Sequence, residues 1–308
     1  MGKSAKRIWN RLKWEPADIM ELRTRIGTNF GLLAAFNGRV TRDNTIRLVR
    51  HQESQEQQMV LDWLTPIDYA SQQSDILERR QASTGQWLLD SNTFQSWLAK
   101  ESQTLFCPGN PGAGKTVISA TVVDYLSTKY QQDPDVSIAY LYFDFNRKHE
   151  QRPKDLFASL LRQFIPKRPT VPEIVRALNT QYKANRGAVT SEELLKALHS
   201  VIKLYAKSLI VIDGLDECEV LNGCRSRFLS AIASLQTQCG TGIFVTSRGI
   251  PEIAESFKDS LTMEIRAQSD DVRKYLDGHI SRLPAFVGKN PELQQEIQTA
   301  ILAAVDGM

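Results

Sequence analysis

The sequence predicts an α/β fold: a parallel sheet covered by helices on both faces. Three observations predict it. From about residue 100, short β-rich apolar runs alternate with helical patterns. Most of the runs are near-continuously apolar rather than apolar at every second residue, as strands buried on both faces require. A glycine-rich turn joins the first run to the helix after it. The chain has 308 residues, enough for one sizeable α/β core and a smaller companion region. Apolar residues make up 42% and charged residues 24%, as in an ordinary globular protein.

Residues 1–15 are basic and carry Trp9 and Trp14. They read as a solvated leader, with membrane-surface or partner binding as the alternative. Met1-Gly2 starts a myristoylation pattern, but Lys6 stands where it needs Ser or Thr, so lipidation is not expected. Pro16 opens a helical pattern with Ile19, Leu22, Ile26, Phe30 and Leu33 at steps of three and four. Asn37-Gly38 reads as its end. A second helix is expected from near Asp43 to Leu64, where Thr65-Pro66 stops it. The pair makes a helical hairpin, a possible docking surface for a protein partner, and too few heptads follow for a sustained coiled coil. Residues 66–92 read as a polar connector, and a short helix with Phe94, Trp97 and Leu98 on one face follows.

The strands are expected at Thr104–Cys107, Val136–Phe143, Ser208–Ile212, Ile243–Thr246 and Leu261–Ile265. Helices are expected near 115–130, 153–165, 172–184, 190–206, 225–237 and 251–257, with two more at about 269–282 and 290–305. The resulting divisions are 1–65, an N-terminal helical region; 66–100, connector and lead-in helix; 101–267, the α/β core; and 268–308, the start of a helical domain. No run of apolar residues is long enough to span a membrane, and no secretory leader is visible, so a cytoplasmic protein is expected. Cys107, Cys218, Cys224 and Cys239 form no C-x-x-C pair, so reduced thiols are expected and zinc is not. A net charge of +3 and the lack of helix-turn-helix or zinc spacing argue against nucleic acid.

Gly109-Asn110-Pro111-Gly112-Ala113-Gly114-Lys115-Thr116 matches G-x-x-x-x-G-K-[ST] at every fixed position. A strand leads in and a helix leads out, as a phosphate-binding loop needs. Glycines let backbone N–H groups converge on phosphate oxygens, and the helix N-terminus adds partial positive charge. Lys115 is placed for the β- and γ-phosphates, and the Thr116 hydroxyl for Mg²⁺. Four apolar residues, Leu209 to Ile212, run into Asp213, the position of a carboxylate that holds Mg²⁺. Asp216 and Glu217 follow within a turn, and either can orient an attacking water. The strand Ile243–Thr246 ends in Ser247 and Arg248, a cation at the carboxyl edge of the sheet.

These three segments, in this order and spacing, resemble the NACHT-type signal-transduction NTPases, and Asp213-Gly214-Leu215-Asp216-Glu217 is the more specific part of the likeness. The connector from Arg79 to Trp97 and the strand Ala139–Phe143 look like the nephrocystin-type subfamily, abundant in filamentous fungi and often ahead of ankyrin repeats. The resemblance covers roughly residues 60–308. It implies a five-stranded sheet in the order 5-1-4-3-2, and a switch that rests with ADP or GDP, exchanges to ATP or GTP with Mg²⁺, hydrolyses slowly and self-associates. It implies that Arg248 is the sensor arginine and that Thr84 to Trp87 approach the base. The family continues into a winged-helix domain and repeats, whereas this sequence stops at Val305-Asp306-Gly307-Met308, as a fragment or a short member would. The rival expectation is a nucleotide-binding scaffold without turnover. A metabolic phosphotransferase is disfavoured, since no acceptor site is recognisable.

Overall fold

The computed structural model describes residues 16–167, 170–185, 189–279, 285–288 and 290–305. The leader with Trp9 and Trp14, and the last three residues, lie outside the described residues. The chain forms two units, Met1–Glu56 and Gln57–Met308.

The first long element departs from the expected hairpin. Pro16–Leu64 is one helix of 49 residues, α1. Asn37-Gly38 does not end it. No proline interrupts residues 17–65, and a glycine inside a helix costs only about 1 kcal/mol, which neighbouring helix formers offset. The supposed polar connector also differs. It holds a helix, α2 (Tyr69–Arg79), capped by the Asp68 side chain accepting from Ala70 N. Two short helices follow, α3 (Gln86–Leu89) and α4 (Asn92–Ala99). Gln73 of α2 is buried, donates to Ala120 O at 2.9 Å and accepts from the Tyr142 hydroxyl. A segment that looks polar in sequence thereby becomes part of the core's wall.

The remaining order is β1 (Thr104–Pro108), α5 (Lys115–Lys129), β2 (Val136–Tyr142), α6 (Pro153–Phe164), α7 (Glu173–Asn185), α8 (Ser191–Ile202), β3 (Lys207–Asp213), α9 (Cys224–Cys239), β4 (Gly242–Ser247), α10 (Pro251–Ser256), β5 (Leu261–Thr262), α11 (Ser269–His279), α12 (Ala285–Gly288) and α13 (Pro291–Val305). The sheet is parallel with strand order β2-β3-β4-β1-β5. That is the expected 5-1-4-3-2 order read from the other edge. β5 is shorter than its apolar run, but the chain keeps bonding along β1 through Met263 N to Phe106 O (3.0 Å) and Ile265 N to Pro108 O (2.7 Å).

Alternate strand residues feed two cores, one on each face of the sheet. Phe106, Leu141, Ile210, Ile212 and Val245 pack in the first, with α6, α8 and α9. Leu105, Cys107, Leu209, Val211 and Phe244 pack in the second, with α3, α4 and α5. Cys107 is buried there as a small hydrophobe, as its strand position predicts. No described helix is long and apolar enough to cross a membrane.

Trp97 anchors the second core. It is 1% exposed, and its ring centroid lies 5.4 Å from Phe94 and 6.0 Å from Phe244. Its Nε1 donates to Gln103 O at 3.0 Å. Trp97→Ala is therefore expected to cost about 3–5 kcal/mol of stability, read as a lowered midpoint in urea unfolding. A loss near zero would show that α4 is a loosely attached lead-in rather than core.

Candidate functional site

Three loops meet at the carboxyl edge of the sheet, after β1, β3 and β4. The first is Gly109 to Thr116, the loop expected to hold phosphates. Gly109 continues β1 by donating its N–H to Ser247 O at 3.0 Å. A Cβ at this position would stand 2.5 Å from Ile265 O, so only glycine fits between the loop and the chain beyond β5. Gly114 caps α5 with φ +88°, a conformation glycine adopts without steric cost. Helix α5 then starts at Lys115 and points its N-terminal amides into the loop. Lys115 Nζ donates to Gly109 O and Asn110 O, both at 2.9 Å. Its pKa is lowered by partial burial, against the pull of Asp216 and Asp213.

The second loop centres on Asp213, which is 3% exposed at the end of β3. Its Oδ2 accepts from Thr116 Oγ1 at 2.8 Å. Its Oδ1 accepts from Ser119 Oγ and Thr246 Oγ1, each at 2.7 Å. Burial raises the pKa of this carboxyl, and the three hydroxyl donors work against the rise. Thr246 Oγ1 also accepts from Gly214 N at 3.0 Å. One carboxylate thus ties α5, β3 and β4 together.

The third group is Asp216, Glu217 and Arg248. Arg248 Nε pairs with Asp216 Oδ2 at 3.0 Å, and Arg248 N donates to Asp216 Oδ1 at 2.9 Å. The Asp216 side chain is 5% exposed, and both its oxygens face Arg248. Glu217 instead accepts from Phe145 N at 3.0 Å, and its pKa is raised, first by burial and then by Asp216 and Asp213. The two acids that sequence leaves equivalent therefore have separate surroundings. Asp216 holds the arginine. Glu217 is the carboxylate whose affinity for a proton has been increased.

The predicted residues are brought together: Lys115 senses the charges of Asp213, Asp216, Glu217 and Arg248. Ser119 and Thr246 were not predicted as site residues. Ser119 stands one helical turn after Thr116 on a helix otherwise apolar on that side, which is the signal that marks it. Thr246 ends an apolar strand, and its partner becomes visible only from the β3–β4 register, Ile212 beside Val245.

The hard-oxygen pair of Thr116 hydroxyl and Asp213 carboxylate, side by side at the head of the phosphate loop, has the donor chemistry Mg²⁺ prefers. Beside the loop is a cavity of about 300 Å³ lined by Gly85, Trp87, Gly112, Val117, Val272 and Tyr275, among others. Thr84 to Trp87, expected near a base, form one wall. Helix α11 forms another, and Asp271 Oδ2 accepts from Gly85 N at 2.7 Å to join the two walls. Lys274 Nζ adds a bond to Ser83 O at 3.2 Å.

A model of the family described as Nephrocystin 3, N-terminal matches residues 83–248. No curated protein matches the chain. Among solved structures, it is similar to the ORC1 protein of Aeropyrum pernix in complex with DNA, at 15% identity and a TM-score of 0.39, covering 72% of this chain and 53% of that one. It is similar to a Walker-type ATPase of Pyrococcus abyssi, at 10% identity and a TM-score of 0.41, covering 72% and 64%. Cdc6p from Pyrobaculum aerophilum gives 15% identity, a TM-score of 0.37, and coverage of 70% and 50%. The chain thus spans between half and two thirds of those proteins' length, and likeness at these scores carries no inference about activity.

Thr246→Val removes one donor from buried Asp213 and the acceptor of Gly214 N while keeping the side chain's shape. Each buried polar group left unsatisfied costs about 1–3 kcal/mol. Chemical unfolding is expected to show a loss in that range or above it, and an unchanged midpoint would show that Asp213 does not depend on Thr246.

Proposed function

We propose that this chain, which belongs to the nephrocystin 3 N-terminal family, is a nucleoside-triphosphate-binding switch of NACHT type. It binds ATP or GTP with Mg²⁺, hydrolyses it slowly and self-associates in the triphosphate form. The observation that carries the reading is the Thr116–Asp213 hydrogen bond at 2.8 Å, which sets the metal-binding pair of the Walker motifs at the start of α5.

In this reading the loop amides of 109–116 and Lys115 hold the phosphate chain. Thr116 and Asp213 would hold Mg²⁺, which would supply positive charge against the phosphates. Glu217 takes the proton of the attacking water, a role its raised pKa suits. Arg248, whose charge already acts on Lys115, would turn to the γ-phosphate on letting go of Asp216. The base enters the cavity beside Trp87 and Val117, between the connector and α11. The same cavity admits adenine or guanine.

A specific observation favours the second reading, a nucleotide-binding scaffold without turnover. Arg248 is engaged by Asp216 through both its side chain and its backbone. An arginine so engaged stabilises no transition state until the pairing opens.

Equilibrium binding of ATP, GTP and their diphosphates with Mg²⁺ tests the switch. Lys115→Ala is expected to weaken binding about 100-fold, the cost of removing a partly desolvated charge from a phosphate. Unchanged binding by the folded variant would remove the phosphate-site assignment. Phosphate release separates the two readings. Glu217→Gln is expected to keep binding but lower turnover about 100-fold or more. Wild-type turnover is expected to fall as pH drops through a Glu217 pKa above its ordinary 4.5, since the base must be ionised. Binding with no release by wild type would establish the scaffold.

A further inference from the structure

The first unit, residues 16–56 of α1, carries an apolar seam that the nucleotide site does not use. As one continuous helix its large residues fall into heptad register. Ile19, Ile26, Leu33 and Val40 occupy the first core position, and Leu22, Asn29 and Phe36 the second. All seven are exposed, with Phe36 at 64% and Leu33 at 59%. Asp43, Arg47 and Arg50 occupy the next core positions, so the seam ends at Val40. The helix glycines keep clear of it. Gly27, Gly31 and Gly38 lie at outward positions with no heavy atom within 4 Å of where a Cβ would be.

We propose that this seam is the interface of a parallel, in-register, two-stranded coiled coil between two copies of this chain, formed without nucleotide. Four features select that occupant. β-Branched residues at three of the four first core positions, with Leu22 at a second, favour two strands. Asn29 is the only polar residue in the seam. In a parallel, in-register pair it meets the other copy's Asn29, amide to amide, whereas an apolar partner leaves it facing hydrocarbon. The flanking pairs of a parallel dimer place Asp18 opposite Arg23 and Arg25 opposite the Phe30 ring, with no like charges together. Finally, the six apolar seam residues with Phe30 and Leu32 on its flanks, at roughly 100 Å² apiece, supply each copy with about the 800 Å² that stable association needs.

This dimer is separate from the nucleotide-driven self-association proposed above, because it involves neither the phosphate loop nor Asp213. Light scattering on the full chain, nucleotide-free and over a dilution series, is expected to read twice the 34.8 kDa of one copy at its concentrated end. The Lys115→Ala variant is expected to read the same. Ile26→Asp with Leu33→Asp, both at exposed positions, is expected to return the mass to one copy while the second unit keeps its unfolding midpoint. Leu22→Cys is expected to cross-link to itself under mild oxidation, and wild type is not. A one-copy mass for wild type would overturn the proposal, as would a dimer that survives the double variant. A dimer in which Leu22→Cys fails to cross-link would overturn the parallel register. Single copies that float with phosphatidylcholine–phosphatidylserine vesicles would assign the seam to a membrane surface instead.

Discussion

A carboxylate taken out of water must be answered by donors, and the second unit is arranged around the answer given to Asp213. Three hydroxyls reach it, two from α5 and one from β4, while its own strand lies between β2 and β4. Each bond fixes a relation between elements far apart in sequence. Through Thr116 the start of α5 is set against the end of β3. Through Thr246 the tip of β4 is drawn to the same point, and the turn at Gly214 is bonded in turn to Thr246. Buried polar networks of this kind are costly when incomplete and specifying when complete. This one places the loop Gly109–Thr116, the Thr116–Asp213 pair and the arginine-bearing strand end on one edge of the sheet.

Most of the core was legible in the sequence because its signals are local and redundant. Apolar, β-rich runs separated by helical periodicity leave little choice but a covered parallel sheet, and the loop from Gly109 to Thr116 announces itself by spacing alone. The errors fall where a local cue meets a longer-range or cooperative effect. Asn37-Gly38 reads as a stop, yet helix propagation through flanking residues carries α1 across it. The segment after Thr65 reads as polar linker because Gln73 is polar, yet its amide serves Ala120 and Tyr142 inside the core. At the site, Asp216 and Glu217 are indistinguishable by type and position. Only the fold shows that one faces Arg248 and the other faces Phe145 N.

The site also shows how burial distributes work among similar groups. Asp213 and Glu217 both have raised proton affinity, but Asp213 is enclosed by hydroxyls while Glu217 keeps one backbone donor and partial access to solvent. The first environment suits a fixed ligand, the second a group that exchanges a proton. Arg248, more than half exposed, is restrained by its partner rather than by packing. A restraint made of one ion pair is easily exchanged for another with a phosphate, since the charges are matched and little apolar surface moves.

The bond from Gly85 N to Asp271, with Lys274 reaching Ser83, joins residues nearly two hundred positions apart across the cavity beside the phosphate loop. It bears on how the chain can be dissected. A cut after the last strand, near residue 267, leaves the sheet, the loop and Asp213 intact and looks from the strand pattern like a natural boundary. Such a piece would still carry Gly109 to Thr116, Asp213 and Arg248 but would lack a wall of the cavity. It would also leave Gly85 N without its Asp271 partner, so a version that keeps the cavity closed on that side has to be drawn past His279 rather than at the end of the sheet.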